Sequence, residues 1–185
     1  MSIKHPIISV TGSSGAGTST VKHTFQQIFR RESVKAVTLE GDAFHRYNRK
    51  EMKKELEKRH AAGDATFSHF SFDANLLPEL EDCFRNYSEQ GTCRYRHYIH
   101  NSNEENLYGA KSGNFTKWKK FEEPSDLLFY EGLHGAVVNE EINLARYADL
   151  KIGVVPVINL EWIQKIHRDT DSRGYSAVAV TDTLV

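Results

Sequence analysis

Short apolar runs alternate along the chain with longer amphipathic or polar segments, and the spacing within each predicts its element. Ile7-Ile8-Ser9-Val10 reads as a buried strand that enters a glycine-rich turn. A helix is predicted over Thr20 to Arg31, because Val21, Phe25, Ile28 and Phe29 recur at helical spacing. Val34 to Leu39 is a β-branched strand ending in Glu40-Gly41-Asp42, and Arg49 to His60 is a highly charged helix. Gly63 to Asn75 places aromatic residues in a loop-like setting, where they wall a pocket or pin the loop. Leu76 to Tyr87 is amphipathic, Arg94 to His100 alternates basic and aromatic residues as a strand would, and Asn101 to Thr116 reads as a polar, mobile excursion. Asp126 to Gly132 is a continuous apolar strand closed by Glu131. A helix at Glu140 to Tyr147, a strand at Leu150 to Val155 and a helix from about Leu160 to Arg168 complete the series. Strand and helix alternate throughout, which predicts an α/β fold: a parallel or mixed sheet with helices on both faces.

The loop after the first strand sharpens this picture to a P-loop NTPase-type sheet. Gly12-Ser13-Ser14-Gly15-Ala16-Gly17-Thr18-Ser19-Thr20 has the glycine spacing that lets backbone N–H groups wrap a phosphate chain at a helix N-terminus. Thr18 stands where such loops carry lysine, so a cation must come from elsewhere in the chain. In a parallel sheet ligands bind beyond the carboxyl ends of the strands, so Gly12, Asp42 and Glu131 should converge on one edge. Ser19, Glu131 and Asp42 are the expected partners of a Mg²⁺ ion that accompanies a nucleotide. Asp42 is either a general base for an attacking hydroxyl or a turn former after Gly41. His45, Arg46 and Arg49 follow it, either as ligands of an anionic acceptor or as a solvated helix face.

Lys165, Arg168 and Asp169 share one face of the last helix. They either supply the charge that Thr18 lacks, carried by a lid with Arg173 across a Gly174 hinge, or form an ordinary surface pair. Period-two alternation puts Arg94, Arg96, Tyr98 and His100 on one face, a cluster suited to one phosphorylated sugar. Six further histidines, His5, His23, His60, His69, His134 and His167, show no metal-ligand spacing and are assigned to core or surface.

Charge and composition narrow the partners. With 24 basic against 25 acidic residues the net charge is −1, which gives no global field for nucleic acid or an anionic membrane. No apolar run approaches the ~20 residues of a membrane span, and the residues after Met1 lack a secretory leader's apolar stretch, so a cytoplasmic location is expected. In that compartment Cys83 and Cys93 should remain reduced, structural thiols.

Taken together, the segments Pro6 to Thr20, Glu40-Gly41-Asp42-Ala43-Phe44-His45-Arg46, Gly63 to Phe70, Phe129 to Gly135 and Asn159 to Asp169 resemble those of the bacterial phosphoribulokinases, members of the phosphoribulokinase/uridine kinase superfamily. The resemblance runs along the whole chain. It implies ATP-dependent phosphorylation of ribulose 5-phosphate to ribulose 1,5-bisphosphate in the Calvin cycle, with Asp42 as base on the 1-hydroxyl and Ser19 and Glu131 serving Mg-ATP. It implies further that His45, Arg49, Tyr98 and Arg173 hold the sugar phosphate, that Lys165 and Arg168 replace the loop lysine, and that the protein forms a homo-oligomer. Members of that family continue beyond the position of Val185, so residues 1–185 are expected to form one kinase domain that is incomplete at its C-terminus. A uridine-kinase-like enzyme acting on another hydroxyl and a non-catalytic ATP-binding fragment are the alternatives.

Overall fold

The computed structural model describes residues 4–121, 124–171 and 174–181. In chain order the elements are β1 (Ile7–Gly12), α1 (Thr18–Arg31), β2 (Ala36–Glu40), α2 (Arg49–Ala61), α3 (Leu77–Gln90), β3 (Arg94–Tyr95), α4 (Ser102–Tyr108), β4 (Lys119–Lys120), β5 (Leu127–Gly132), β6 (Leu150–Val154), α5 (Ile158–Asp171) and α6 (Ala177–Thr181). Four strands form a parallel sheet in the order β2-β5-β1-β6, and β3 and β4 form a separate antiparallel ribbon.

Alternation along the central strands sets the layers. Ile7 of β1 and Leu128 and Tyr130 of β5 point to one face, where α3 presents Leu77, Leu80, Cys83, Phe84 and Tyr87 at helical spacing. Val10 and Phe129 point to the other, where α1 packs Phe25 and Phe29 against the Phe129 ring. Both faces are therefore covered by helix, as the sequence predicts. Burial of these side chains supplies the main driving force, at about 25 cal/mol for each Å² of apolar surface removed from water. By contrast α2 buries none of its residues. It is held by an Asn48–Glu51 capping box and by pairs from Glu55 to Lys58 and Arg59.

Four expectations need correction. Residues 140–147 do not form a helix but a single 3-10 turn at Leu144–Arg146. Asn139 Oδ1 accepts from the N–H groups of Glu141 and Ile142, and Asn143 Oδ1 from Arg146, so asparagine side chains compete with the helical ladder. The excursion after His100 contains α4, started by the Asn101 side chain, which accepts from Asn103 and Glu104. The 94–100 strand shrinks to Arg94 and Tyr95, because Arg96 turns inward: its guanidinium donates to the carbonyls of Ala43 and His45 at 2.7 and 2.6 Å and lies over the Phe115 and Trp118 rings. Finally, Cys83 and Cys93 form a disulfide rather than free thiols, since the chain beyond α3 folds back to bring their Cα atoms to 4.8 Å.

Candidate active site

The carboxyl ends of β1, β2 and β5 open into one cavity of about 810 Å³, lined at one end by Gly12, Ser13, Ser14, Gly15, Thr18 and Ser19 and at the other by His45, Arg49, Tyr98 and His100. At the first end Gly17 caps α1 in a left-handed conformation and brings no side chain to cap the first-turn N–H groups. Open donors at a helix N-terminus suit an anion. Ala16 is buried beneath the turn, while Ala16, Gly17 and Thr20 do not line the cavity.

Helix α5 lies directly on this loop. Gly15 has φ +99°, and a Cβ there would stand 3.0 Å from both the Glu161 carbonyl and Lys165 Cβ, so only glycine permits the contact. Arg168 reaches the loop, donating to Ser14 Oγ at 2.9 Å, and its Nε donates to Asp169 Oδ1 at 2.8 Å. Lys165 is buried with its Nζ 3.0 Å from Asp169 Oδ2. The three side chains thus form one linked group beside the loop, with the Lys165 ammonium turned to Asp169. Arg173 lies outside the described residues. Gly174 follows α5 in a left-handed conformation, and Tyr175 beyond it lines the cavity.

At the other end Asp42 sits in a 3-10 turn, Gly41–Phe44, immediately after β2. Gly41 is required there: a Cβ would stand 2.6 Å from the Tyr130 hydroxyl. Asp42 Oδ1 faces His45 Nε2 at 3.3 Å and Oδ2 faces His100 Nε2 at 3.5 Å. His45 Nδ1 lies 2.8 Å from Asn75 Oδ1, and Asn75 Nδ2 donates to the carbonyls of His69 and Ser71, which fixes its amide orientation. An imidazole that donates to Asn75 and to Asp42 must be protonated at both nitrogens. Burial pushes the His45 pKa down, but the hydrogen bond and charge of Asp42 outweigh it and leave the group above the ordinary histidine value. Arg49 donates to the His100 carbonyl at 3.2 Å, and its charge acts on the nearby Tyr98 hydroxyl. Tyr98 and His100 reach the site as the alternation predicts, whereas Arg94 and Arg96 do not line the cavity. Arg46 is likewise structural, donating to the Asp73 carbonyl.

Glu131, the penultimate residue of β5, lines the cavity between the two halves. Thr18 Oγ1 donates to its Oε1 at 2.5 Å, so the residue in the lysine position serves a carboxylate instead. Ser19, exposed on the first turn of α1, and Glu131 offer hydroxyl and carboxylate oxygen to the same cavity, a donor set that fits a hard divalent cation sharing phosphate and water ligands. Among the described residues no three His, Cys, Asp or Glu side chains gather into a self-sufficient metal centre, and Asp42 is engaged by imidazoles. Sequence reasoning missed Lys22, Glu40, His69, Asn75 and His134, all of which line the cavity. Lys22 lies one helical turn after Thr18, and His134 three residues after Glu131; those offsets are the signals that could have found them.

Comparison with known proteins accords with this geometry. The profile described as "Phosphoribulokinase / Uridine kinase family" matches residues 7–185. "Phosphoribulokinase 1" of Cereibacter sphaeroides is 69% identical over the whole chain, which covers 64% of that protein, and "Phosphoribulokinase" of Nitrobacter vulgaris is 62% identical over 98% of the chain and 63% of its own length. A solved structure titled "phosphoribulokinase from Rhodobacter spheroides" superposes with a TM-score of 0.83 at 67% identity, covering 98% of this chain and 62% of that one. The chain therefore spans less than two thirds of the length of these relatives. Among the described residues no helix is long and apolar enough to cross a membrane.

Proposed function

Since the chain belongs to the phosphoribulokinase/uridine kinase family, we propose that it carries the active centre of an ATP:ribulose 5-phosphate phosphotransferase, which makes ribulose 1,5-bisphosphate for carbon fixation. The observation that carries the reading is Asp42: a half-exposed carboxylate, held by two imidazoles, in the same cavity as a phosphate-binding loop. Phosphoryl transfer requires mainly positioning, charge stabilisation and a group that accepts the proton of the attacking hydroxyl.

In this reading the loop from Gly12 to Thr20 binds the ATP phosphates. Arg168, steadied by Asp169, meets the charge that builds on the transferring group, and Lys165 joins it from α5. Asp42 takes the proton of the sugar's 1-hydroxyl, with His45 and His100 setting its direction. His45, Arg49, Tyr98, His100 and Arg173 hold the acceptor's phosphate and hydroxyls. Ser19 and Glu131 would hold Mg²⁺ alongside the phosphates, and that ion neutralises charge on the β and γ oxygens when bound. Residues 1–185 act as one kinase domain of a homo-oligomeric protein in the cytoplasm.

A coupled assay of ADP release with Mg-ATP against ribulose 5-phosphate, other pentose phosphates and nucleosides tests the acceptor. Turnover with ribulose 5-phosphate is expected. Preference for uridine would assign the chain to the uridine-kinase branch, and ATP binding without turnover on any acceptor would leave only a nucleotide-binding unit.

A further inference from the structure

The Glu131 carboxylate is engaged at both oxygens. Thr18 Oγ1 donates to Oε1 at 2.5 Å, and Lys22 Nζ stands 3.5 Å from Oε2. Thr18 and Lys22 are one turn apart on α1, so both project from the same side of the helix. The same ammonium lies 2.7 Å from Glu40 Oε1. Glu40 and Glu131 are register partners on β2 and β5, which sets two carboxylates side by side where like charges destabilise a sheet. Lys22 resolves that conflict from a side chain only 14% exposed, where salt screens weakly.

Neither the phosphate loop nor the acceptor end accounts for this triad. We propose that Lys22 is a positioning residue for nucleotide use: with Thr18 it fixes the direction of Glu131, and it cancels the charge of Glu40 beside the polyphosphate. A metal-nucleotide complex then meets one fixed negative group in place of two. Thr18 replaces the loop lysine because its hydroxyl is needed for the other oxygen of the same carboxylate.

This rests on the ATP-kinase reading, and a binding measurement separates the two. Calorimetric titration with ATP in the presence and absence of Mg²⁺ gives a ratio of affinities. In Lys22→Met the unbalanced negative charge should weaken metal-free ATP more than Mg-ATP, raising that ratio by at least ~5-fold, the lower range of typical site-to-site coupling. Lys22→Arg should restore it. With turnover as a second readout, Lys22→Met should lower kcat more than it raises KM for Mg-ATP. If Met disturbs folding, Lys22→Gln removes the charge while keeping a polar contact to Glu40, and the same ratio is read. Equal loss of both affinities would mean that Lys22 touches phosphate directly or only supports the fold; that result, or an unchanged ratio, overturns the proposal while the kinase reading stands. Wild-type protein that binds ATP under neither condition overturns both.

Discussion

Two imidazoles on one carboxylate make Asp42 the most informative residue of the site. Asp42→Asn keeps the size of the side chain and removes the proposed base, so kcat should fall by ~10²–10⁴-fold while ATP affinity stays close to wild type. The same change removes the partner that holds the His45 pKa up, and the imidazole titration followed by NMR should move to lower pH. A fall in kcat of less than tenfold would reduce Asp42 to a turn residue. His134 behaves in the opposite sense. Its burial, with the charge of His45 adding to it, brings its pKa down to about 4. The unfolded chain therefore binds a proton between pH 6.5 and 4 that the folded chain does not, so His134 makes stability fall as pH drops through that window. Urea midpoints measured from pH 7 to 4 should decline less steeply in His134→Gln than in wild type. Asp42, His45 and Glu131 were legible in the sequence because each closes or follows a strand. His134 and Asn75 were not, since their roles arise from burial and from contacts with residues far away in the chain.

At the scale of elements, the docking of α5 on the phosphate loop brings Lys165 and Arg168 to the site, and Gly15 permits it. Gly15→Ala places a methyl group against α5 and forces a left-handed alanine, at a cost of about 1–3 kcal/mol for the backbone alone. Thermal denaturation should show the loss, and KM for ATP should rise because Arg168 is drawn off Ser14. An unchanged KM would show that α5 does not need this seat. The face shared by Lys165, Arg168 and Asp169 was readable from helical spacing alone. Sequence pattern failed where side chains satisfied backbone groups locally, as at Asn139 and Asn143, or where a long cation turned inward. Arg96 alternates like a surface residue but braces two carbonyls at the base of the acceptor end, and its burial brings its pKa down to about 10.

For the whole molecule, the parallel sheet and its covered faces followed from the alternation of strand and helix, but the order of the strands did not. β1 lies between β5 and β6, and β5 separates it from β2. Translation makes that order a matter of timing. The first strand to leave the ribosome must wait for partners at 127–132 and 150–154, and it cannot pair with β2 in the interval. Ser9 and Thr11 close their side-chain hydrogen bonds on Gly135 and Leu133, again more than a hundred residues further along the chain. Contacts so distant in sequence form slowly, and unpaired strand edges invite association with other chains. Nascent chains stalled at increasing lengths should therefore remain open to protease at β1 until β6 has emerged, and ATP should protect none that stop before β5. Until β5 and β6 emerge, a newborn chain carries its glycine-rich loop on an unsupported strand, an edge open to association with other chains.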